Sequence, residues 1–234
     1  SARMLARDLR PNRLEALKDV ASEFIQGRPN DRVGIVLYAG ESYTKTPITS
    51  DKSIVLGALN DVKFSEVLEN GTAIGMGLAT SVNSLKDSKA LSKVIILLTD
   101  GVNNSGTIDP KLASELAVEY GIKTYTIGIG SNGMALSPIG IKSNGQFQYG
   151  NQKVEIDEDL LKQIATVTGG QYFRATNNQK LEAIYEEINK LEKTEVEEFK
   201  FYNYKELFRS LVLAALGLIV VEVLLRFTIF RSFV

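Results

Sequence analysis

Apolar positions along most of the chain follow two alternating patterns. Residues 14–26 and 72–85 place apolar side chains three and four positions apart, which indicates helices with one buried face. Between such segments lies a short apolar run at 33–38, which is typical of a strand buried on both faces. Further strands are predicted at 94–98 and 122–129. Because strands alternate with helices, the pattern predicts a doubly wound α/β fold, in which a mostly parallel sheet is covered by helices on both sides.

Breaker and cap residues predict the remaining elements. Pro47 has no amide hydrogen to donate, which restricts the run 43–48 to an edge strand. Asn12 followed by Glu15 has the spacing of a capping box at the start of the first helix. Gly and Pro residues indicate a long loop after residue 129. Further helices are predicted at 51–61, 110–120, 157–168 and 179–193, and a short strand at 172–174.

The C-terminal segment 207–230 differs in composition from the rest of the chain. Its charged residues are Arg209, Glu222 and Arg226, and the stretch 211–221 is uninterrupted apolar sequence. A helix needs about 20 apolar residues to cross the hydrocarbon core of a bilayer, so this segment is predicted to be a transmembrane helix. A buried core helix is the alternative, although such helices usually keep a polar stripe. Basic residues flank both ends equally, which leaves the orientation open.

The composition narrows the chemistry that the chain can perform. It contains no Cys and no His, which excludes zinc-thiolate sites, thiol nucleophiles and a Ser-His-Asp triad. Any bound metal must therefore be held by oxygen, which favours Mg²⁺, Ca²⁺ or Mn²⁺. With 27 basic and 28 acidic residues the net charge is close to zero, so no overall field attracts nucleic acid.

Two residues fall where a parallel α/β sheet binds ligands, beyond the carboxyl ends of its strands. Asp100 follows the predicted strand 94–98, and Gly101 after it gives the backbone room to turn. Thr72 begins a predicted helix, so its hydroxyl is expected on the same sheet edge as the Asp100 carboxylate. Simpler roles stay open at this point, namely a turn carboxylate for Asp100 and an N-cap for Thr72.

The segments around both residues resemble the metal-ion-dependent adhesion site (MIDAS) of von Willebrand factor type A (VWA) domains. The run 94–101 is similar to the acidic strand end of that family, and 71–75 (Gly-Thr-Ala-Ile-Gly) is similar to its threonine loop. Residues 1–4 align with the end of the family's third element, an Asp-x-Ser-x-Ser turn. The resemblance therefore implies three metal ligands in this chain, Ser1, Thr72 and Asp100.

The chain departs from the family pattern in that third element. Arg3 stands where the second serine belongs, and the leading Asp of the turn would precede Ser1. The chain is accordingly expected to begin inside a larger protein and to lack the first strand, which leaves a gap in the sheet or another segment filling it. Because a guanidinium attracts a nearby carboxylate strongly, Arg3 is predicted to approach Asp100 and stand in for the ion.

The resemblance extends to the BatA-type aerotolerance proteins through residues 5–14, 40–42 and 169–175. Those are bacterial inner-membrane proteins with a VWA domain between membrane helices, which implies an inner-membrane location with the domain on the periplasmic side. The resemblance also implies that the bound ion is Mg²⁺, with Ca²⁺ or Mn²⁺ as the alternatives. The partners implied are sibling VWA proteins and a MoxR-type AAA+ ATPase. The corresponding divisions of this chain are a VWA domain at 1–194, a connector at 195–206 and the transmembrane helix at 207–230.

These features lead to one favoured function and two alternatives. The favoured function is a membrane-anchored module that binds a partner protein through a MIDAS-type metal site. A metal-independent membrane scaffold is the first alternative, which Arg3 and the missing Asp favour. An enzyme is the second, but the chain has no G-x-S-x-G elbow or phosphate loop and is not expected to be one. Residues 128–133 match G-x-G-x-x-G without the following helix that a dinucleotide site requires.

Overall fold

The chain divides into two compact units, Ser1–Val196 and Glu197–Val234. The computed structural model describes residues 2–64, 71–131, 133–141, 146–197 and 208–228. Helices and strands alternate along the first unit, after a short 3-10 helix at Ala2–Leu5. The strands are β1 (Val33–Tyr38), β2 (Ser42–Thr49), β3 (Val94–Thr99), β4 (Lys123–Ile129), β5 (Met134–Ile141), β6 (Phe147–Lys153) and β7 (Tyr172–Ala175). The helices are α1 (Arg13–Gln26), α2 (Lys52–Asn60), α3 (Ile74–Leu85), α4 (Pro110–Glu119), α5 (Glu158–Val167), α6 (Asn178–Glu197) and α7 (Phe208–Thr228).

Polar side chains cap the N-termini of several helices. Asn12 accepts a hydrogen bond from the Glu15 amide at 2.9 Å, which confirms the predicted start of α1. Asp51, Asp109 and Asp157 accept hydrogen bonds from the first amides of α2, α4 and α5 in the same way. The first amides of a helix have no hydrogen-bond acceptor within the helix. The cap side chains accept from these amides and so replace hydrogen bonds to water that are lost on folding.

A three-stranded parallel sheet forms the centre of the first unit, in the order β3-β4-β7. Val94 pairs with Lys123 and Leu98 with Ile127, which confirms the predicted parallel pairing of β3 and β4. One apolar cluster lies between this sheet and helices α1 and α6, and a second one involves α3, α4 and α5. The predicted α/β fold, with helices on both faces of a parallel sheet, is therefore present.

β1 and β2 form an antiparallel ribbon that is a separate sheet from β3 among the described residues. Among these residues a gap in backbone pairing thus separates β1 from β3. Tyr38 at the end of β1 crosses this gap, because its hydroxyl donates a hydrogen bond to the Leu98 carbonyl at 2.5 Å. Burial raises the pKa of the Tyr38 phenol, which keeps the hydroxyl protonated and able to donate.

The prediction of a long loop after β4 is wrong, because this segment contains the antiparallel hairpin of β5 and β6. β5 alternates as a strand does: Met134 and Leu136 are exposed, whereas Ala135 between them is buried. The register is irregular between Pro138 and Gly140. A two-stranded ribbon accommodates such breaker residues where a central strand would not, which is why composition alone indicated a loop.

The second unit contains α7, a continuous helix of 21 residues in the segment predicted to be helical. Its described apolar side chains are exposed, and Leu213 and Leu218 each keep 72% of their surface accessible. Within the part of the chain that the structure describes, which for the side chains of α7 means residues 208 and 212–226, no helix is long and apolar enough to cross a membrane. Residues 198–206 of the predicted connector lie outside the described residues.

Candidate functional site

Asp100 lies directly after the carboxyl end of β3, where the sequence placed it. Only 3% of its surface is exposed, although β3 ends there and a turn follows. Burial raises the pKa of the Asp100 carboxyl, and the positive charges of Arg13 and Arg3 oppose that shift. A simple turn carboxylate would lie in water, so burial together with charged neighbours distinguishes Asp100 from that alternative.

Arg13 makes an ion pair with Asp100 that the sequence did not reveal. The Arg13 Nη1 atom lies 3.5 Å from Asp100 Oδ2, and the side chains are 2% and 4% exposed. Arg13 also binds Asp8 with two hydrogen bonds, Nη2 to Oδ2 at 2.6 Å and Nε to Oδ1 at 2.8 Å. Asp8, Arg13 and Asp100 thus form a buried cluster of two carboxylates and one guanidinium, here named the Asp8–Arg13–Asp100 cluster.

Hydrogen bonds keep Asp8 ionised within this cluster. Its Oδ2 atom accepts hydrogen bonds from the Ser131 amide at 2.7 Å and from Arg13 Nη2. Its Oδ1 atom accepts the other hydrogen bond from Arg13. Burial raises the pKa of Asp8, but the hydrogen bonds from Arg13 and Ser131 outweigh this and lower the pKa to about 2. Asp8 is therefore a strong, permanently charged partner for Arg13 at neutral pH.

Thr72 is held by the loop that follows Asp100. Its amide donates to Asn104 Oδ1 at 2.9 Å, and its carbonyl accepts from the Asn104 amide at 3.1 Å. Asn103 Oδ1 accepts from the Ile74 amide at 2.8 Å, which fixes the start of α3. The N-cap residue of α3 is Ala73, so the N-cap alternative for Thr72 is wrong. Two amide side chains from one loop therefore clamp the threonine loop beside Asp100.

The Thr72 hydroxyl and Arg3 both adjoin Gly101. A Cβ atom added at Gly101 would lie 3.0 Å from Thr72 Oγ1 and 3.5 Å from Arg3 Nη1. The missing side chain thus leaves a small space, next to Asp100, between a hydroxyl oxygen and a guanidinium. Arg3 is near enough for its charge to lower the pKa of Asp100, as expected, but the ion pair identified with Asp100 belongs to Arg13. Ser1, the third predicted ligand, lies outside the described residues.

The base of the β5–β6 hairpin is attached to the same region. Arg174 donates to the Gly130 carbonyl at 3.1 Å and to the Ser131 carbonyl at 3.3 Å, and it pairs with Glu158 at 2.9 Å. The Ser131 amide binds Asp8, as described above. β5 begins at Met134, so the G-x-G-x-x-G segment leads into a strand and offers no helix N-terminus to a pyrophosphate.

The donors at this edge fit a hard divalent cation. Asp100 provides a buried carboxylate, and Thr72 provides a buried hydroxyl that adjoins Gly101. Both groups are oxygen donors of the kind that such ions prefer. Among the described residues no cluster of three or more His, Cys, Asp or Glu side chains is arranged to hold a metal. An ion here would consequently keep water ligands, which is common for Mg²⁺.

The von Willebrand factor type A domain family matches residues 1–187 of the chain. An uncharacterized protein of Borreliella burgdorferi strain B31 is 31% identical to it over 210 residues, which cover 90% of this chain and 61% of that protein. The chain thus spans less than two thirds of the length of this relative.

Two solved structures resemble the domain closely. The conserved hypothetical protein BatB from Bacteroides thetaiotaomicron is 30% identical with a TM-score of 0.69, and the match covers 82% of this chain and 95% of that one. An aerotolerance-related membrane protein from Bacteroides fragilis is 28% identical with a TM-score of 0.67, and the match covers 81% of this chain and 92% of that one.

Proposed function

Since the chain belongs to the von Willebrand factor type A domain family, and within it to the BatA type that its motifs predicted, we propose that it is a membrane-anchored module that binds a partner protein through a divalent metal ion. One observation carries the proposal. The buried Thr72 hydroxyl adjoins Gly101, the residue that follows the buried Asp100 at the carboxyl end of a parallel strand.

Asp100 and Thr72 would hold the ion, with Ser1 and water as further ligands. Mg²⁺ is the ion proposed, and Ca²⁺ or Mn²⁺ are the alternatives, because all three prefer oxygen donors. When bound, the ion supplies an open coordination position that a carboxylate of the partner fills. The hydrogen bonds of Asn103 and Asn104 hold the threonine loop in place before any ion arrives, which reduces the ordering that binding requires.

The membrane anchor is proposed to be the helix α7, preceded by a connector at 195–206. Counted over all 21 residues, including those whose side chains the structure does not describe, α7 is about 31 Å long, close to the thickness of a bilayer core. The relative from Bacteroides fragilis is named as a membrane protein, which supports the same location. An inner-membrane location with the domain on the periplasmic side follows from the BatA-type resemblance. Sibling VWA proteins and a MoxR-type AAA+ ATPase are the partner classes that this resemblance suggests.

Metal titration of the full chain in detergent tests the proposed site. Asp100→Asn and Thr72→Val each remove one donor and should weaken Mg²⁺ binding at least tenfold in calorimetry, because each deletes an oxygen ligand. Asp87→Asn is the matched control, since Asp87 is exposed at the surface away from this edge. If neither variant changes the affinity while the unaltered chain binds Mg²⁺, the ion is held elsewhere and the proposed site is wrong.

A metal-independent scaffold is the second candidate, and the Arg13–Asp100 ion pair favours it. The positive charges of Arg13 and Arg3 together already offset the negative charges of Asp8 and Asp100, so the sheet edge does not require an ion for neutrality. In that case the same titration would detect no Mg²⁺ binding by the unaltered chain. The partner would then contact the edge through Arg3 and the exposed side chains around it rather than through a metal.

A further inference from the structure

Arg13 holds its two carboxylates unequally. Toward Asp8 it makes two short hydrogen bonds, at 2.6 and 2.8 Å, whereas toward Asp100 it makes a single contact at 3.5 Å. The guanidinium is 2% exposed, so water screens its charge poorly. Asp100 is therefore the carboxylate that Arg13 can release while it remains paired with Asp8.

We propose that Arg13 is a built-in competitor of the divalent cation: it neutralises Asp100 when the site is empty and thereby sets a low affinity for metal. This role rests on the metal site proposed above. Loss of the Asp100 contact costs Arg13 little, because Asp8 keeps both of its hydrogen bonds. The affinity of the site for the metal ion is reduced by a larger amount, since the ion must bind beside a buried positive charge.

A positioning role for Arg13 predicts the opposite change in metal affinity when the guanidinium is removed. If Arg13 only positioned Asp100 for the ion, removal of the guanidinium would misplace the carboxylate and weaken metal binding. If Arg13 competes with the ion, its removal deprives the carboxylates of Asp8 and Asp100 of the guanidinium that they share, and Arg3 remains as the other positive charge near Asp100. A divalent cation would then bind more tightly, because it would neutralise the negative charge that Arg13 no longer balances.

The decisive experiment measures Mg²⁺ affinity of the full chain in detergent, by calorimetry, for the unaltered protein and for Arg13→Gln. Competition predicts that the variant binds Mg²⁺ at least about tenfold more tightly, because one nearby positive charge is removed. The variant should also melt at a lower temperature without Mg²⁺ and gain more from added Mg²⁺ than the unaltered chain does. Arg28→Gln is the control for loss of a guanidinium, because Arg28 lies 2.8 Å from Asp31, whose side chain is 49% exposed, and takes no part in the Asp8–Arg13–Asp100 cluster.

A second variant guards against failure of Arg13→Gln to fold. The double change Asp8→Asn with Arg13→Met removes the cation together with its closest partner and leaves no unpaired charge at residue 8. Competition predicts tighter Mg²⁺ binding than in the unaltered chain for this protein as well. The addition of Asp100→Asn to either variant should abolish the gain.

The outcomes separate this role from the proposed function. If a folded Arg13 variant binds Mg²⁺ equally or more weakly, the competitor role is overturned, while the metal site stands provided that Asp100→Asn abolishes binding. If only the Arg13 variants bind Mg²⁺, through Asp100, the competitor role is supported and metal-assisted binding by the unaltered chain is refuted. If none of these proteins binds Mg²⁺, both the competitor role and the metal site are refuted.

Discussion

Acidification should weaken the fold through Asp8. The pKa of this carboxyl is lowered from 3.8 to about 2 in the folded protein by hydrogen bonds from Arg13 and Ser131, against the effect of burial. A group with a lowered pKa stabilises the fold fully above its unfolded pKa, and this contribution disappears as the pH falls through the folded pKa. The shift corresponds to about 2.5 kcal/mol of folding free energy, present above about pH 5 and lost progressively between about pH 4 and pH 2.

Asp8→Asn isolates this contribution from those of other groups. Urea denaturation followed by circular dichroism gives the free energy of unfolding of both proteins at pH 7, 4 and 2.5. The variant should be less stable by about 2 to 3 kcal/mol at pH 7, since Arg13 loses a charged partner in a buried place. The difference should shrink to about 1 kcal/mol at pH 2.5, because Asp8 is then protonated in the unfolded chain and begins to be protonated in the folded one.

Asp100 does not disturb the comparison, because both proteins contain it. Asp87→Asn, at an exposed position, controls for the loss of one negative charge and should leave the stability nearly unchanged. A difference between the unaltered chain and Asp8→Asn that stays constant from pH 7 to pH 2.5 would refute the assignment of a low pKa to Asp8.

Two further predictions concern the other end of the domain and the membrane. Glu192 is 4% exposed and accepts hydrogen bonds from Tyr125 at 2.7 Å and Ser92 at 3.1 Å, so Glu192→Gln should cost about 1 to 2 kcal/mol in urea denaturation. Equal stability of this variant and of the exposed control Glu186→Gln would contradict that prediction. Deletion of the residues after Tyr204 should release the domain from carbonate-washed membranes, whereas the full chain should stay with them. Recovery of the full chain in the carbonate supernatant would contradict the anchor.

The sequence predicts the elements of this fold well where burial alone determines them. The run 94–98 has no polar position and 122–129 is rich in Ile and Thr, and they form the parallel strands β3 and β4. The hairpin of β5 and β6 was not predictable in the same way, because its strands are half exposed and contain Gly and Pro. Alternation in the stretch from Met134 to Ser137 was the available signal, but it spans too few residues to outweigh those breakers.

The sequence predicts only those residues of the candidate site that lie at strand ends or in recognisable motifs. Asp100 and Thr72 follow from their positions at the sheet edge, which the topology determines. The counter-ion of Asp100 depends on which distant side chain enters the same buried space, and two arginines near the start of the chain were available. Arg3 was the candidate from the motif alignment, whereas Arg13 makes the ion pair. The turn between Asp8 and the start of α1 decides this, because it brings Arg13 against Asp8.

The contacts of Asp8 also connect the candidate metal site with the β5–β6 hairpin. Arg13 lies between Asp100 and Asp8, and Asp8 in turn binds the Ser131 amide at the base of the hairpin. A Cβ atom added at Gly130 would lie 2.6 Å from Arg13 Nη2, so the guanidinium fills the space beneath this turn. Any movement of Arg13 away from Asp100 must therefore be accommodated at the hairpin base.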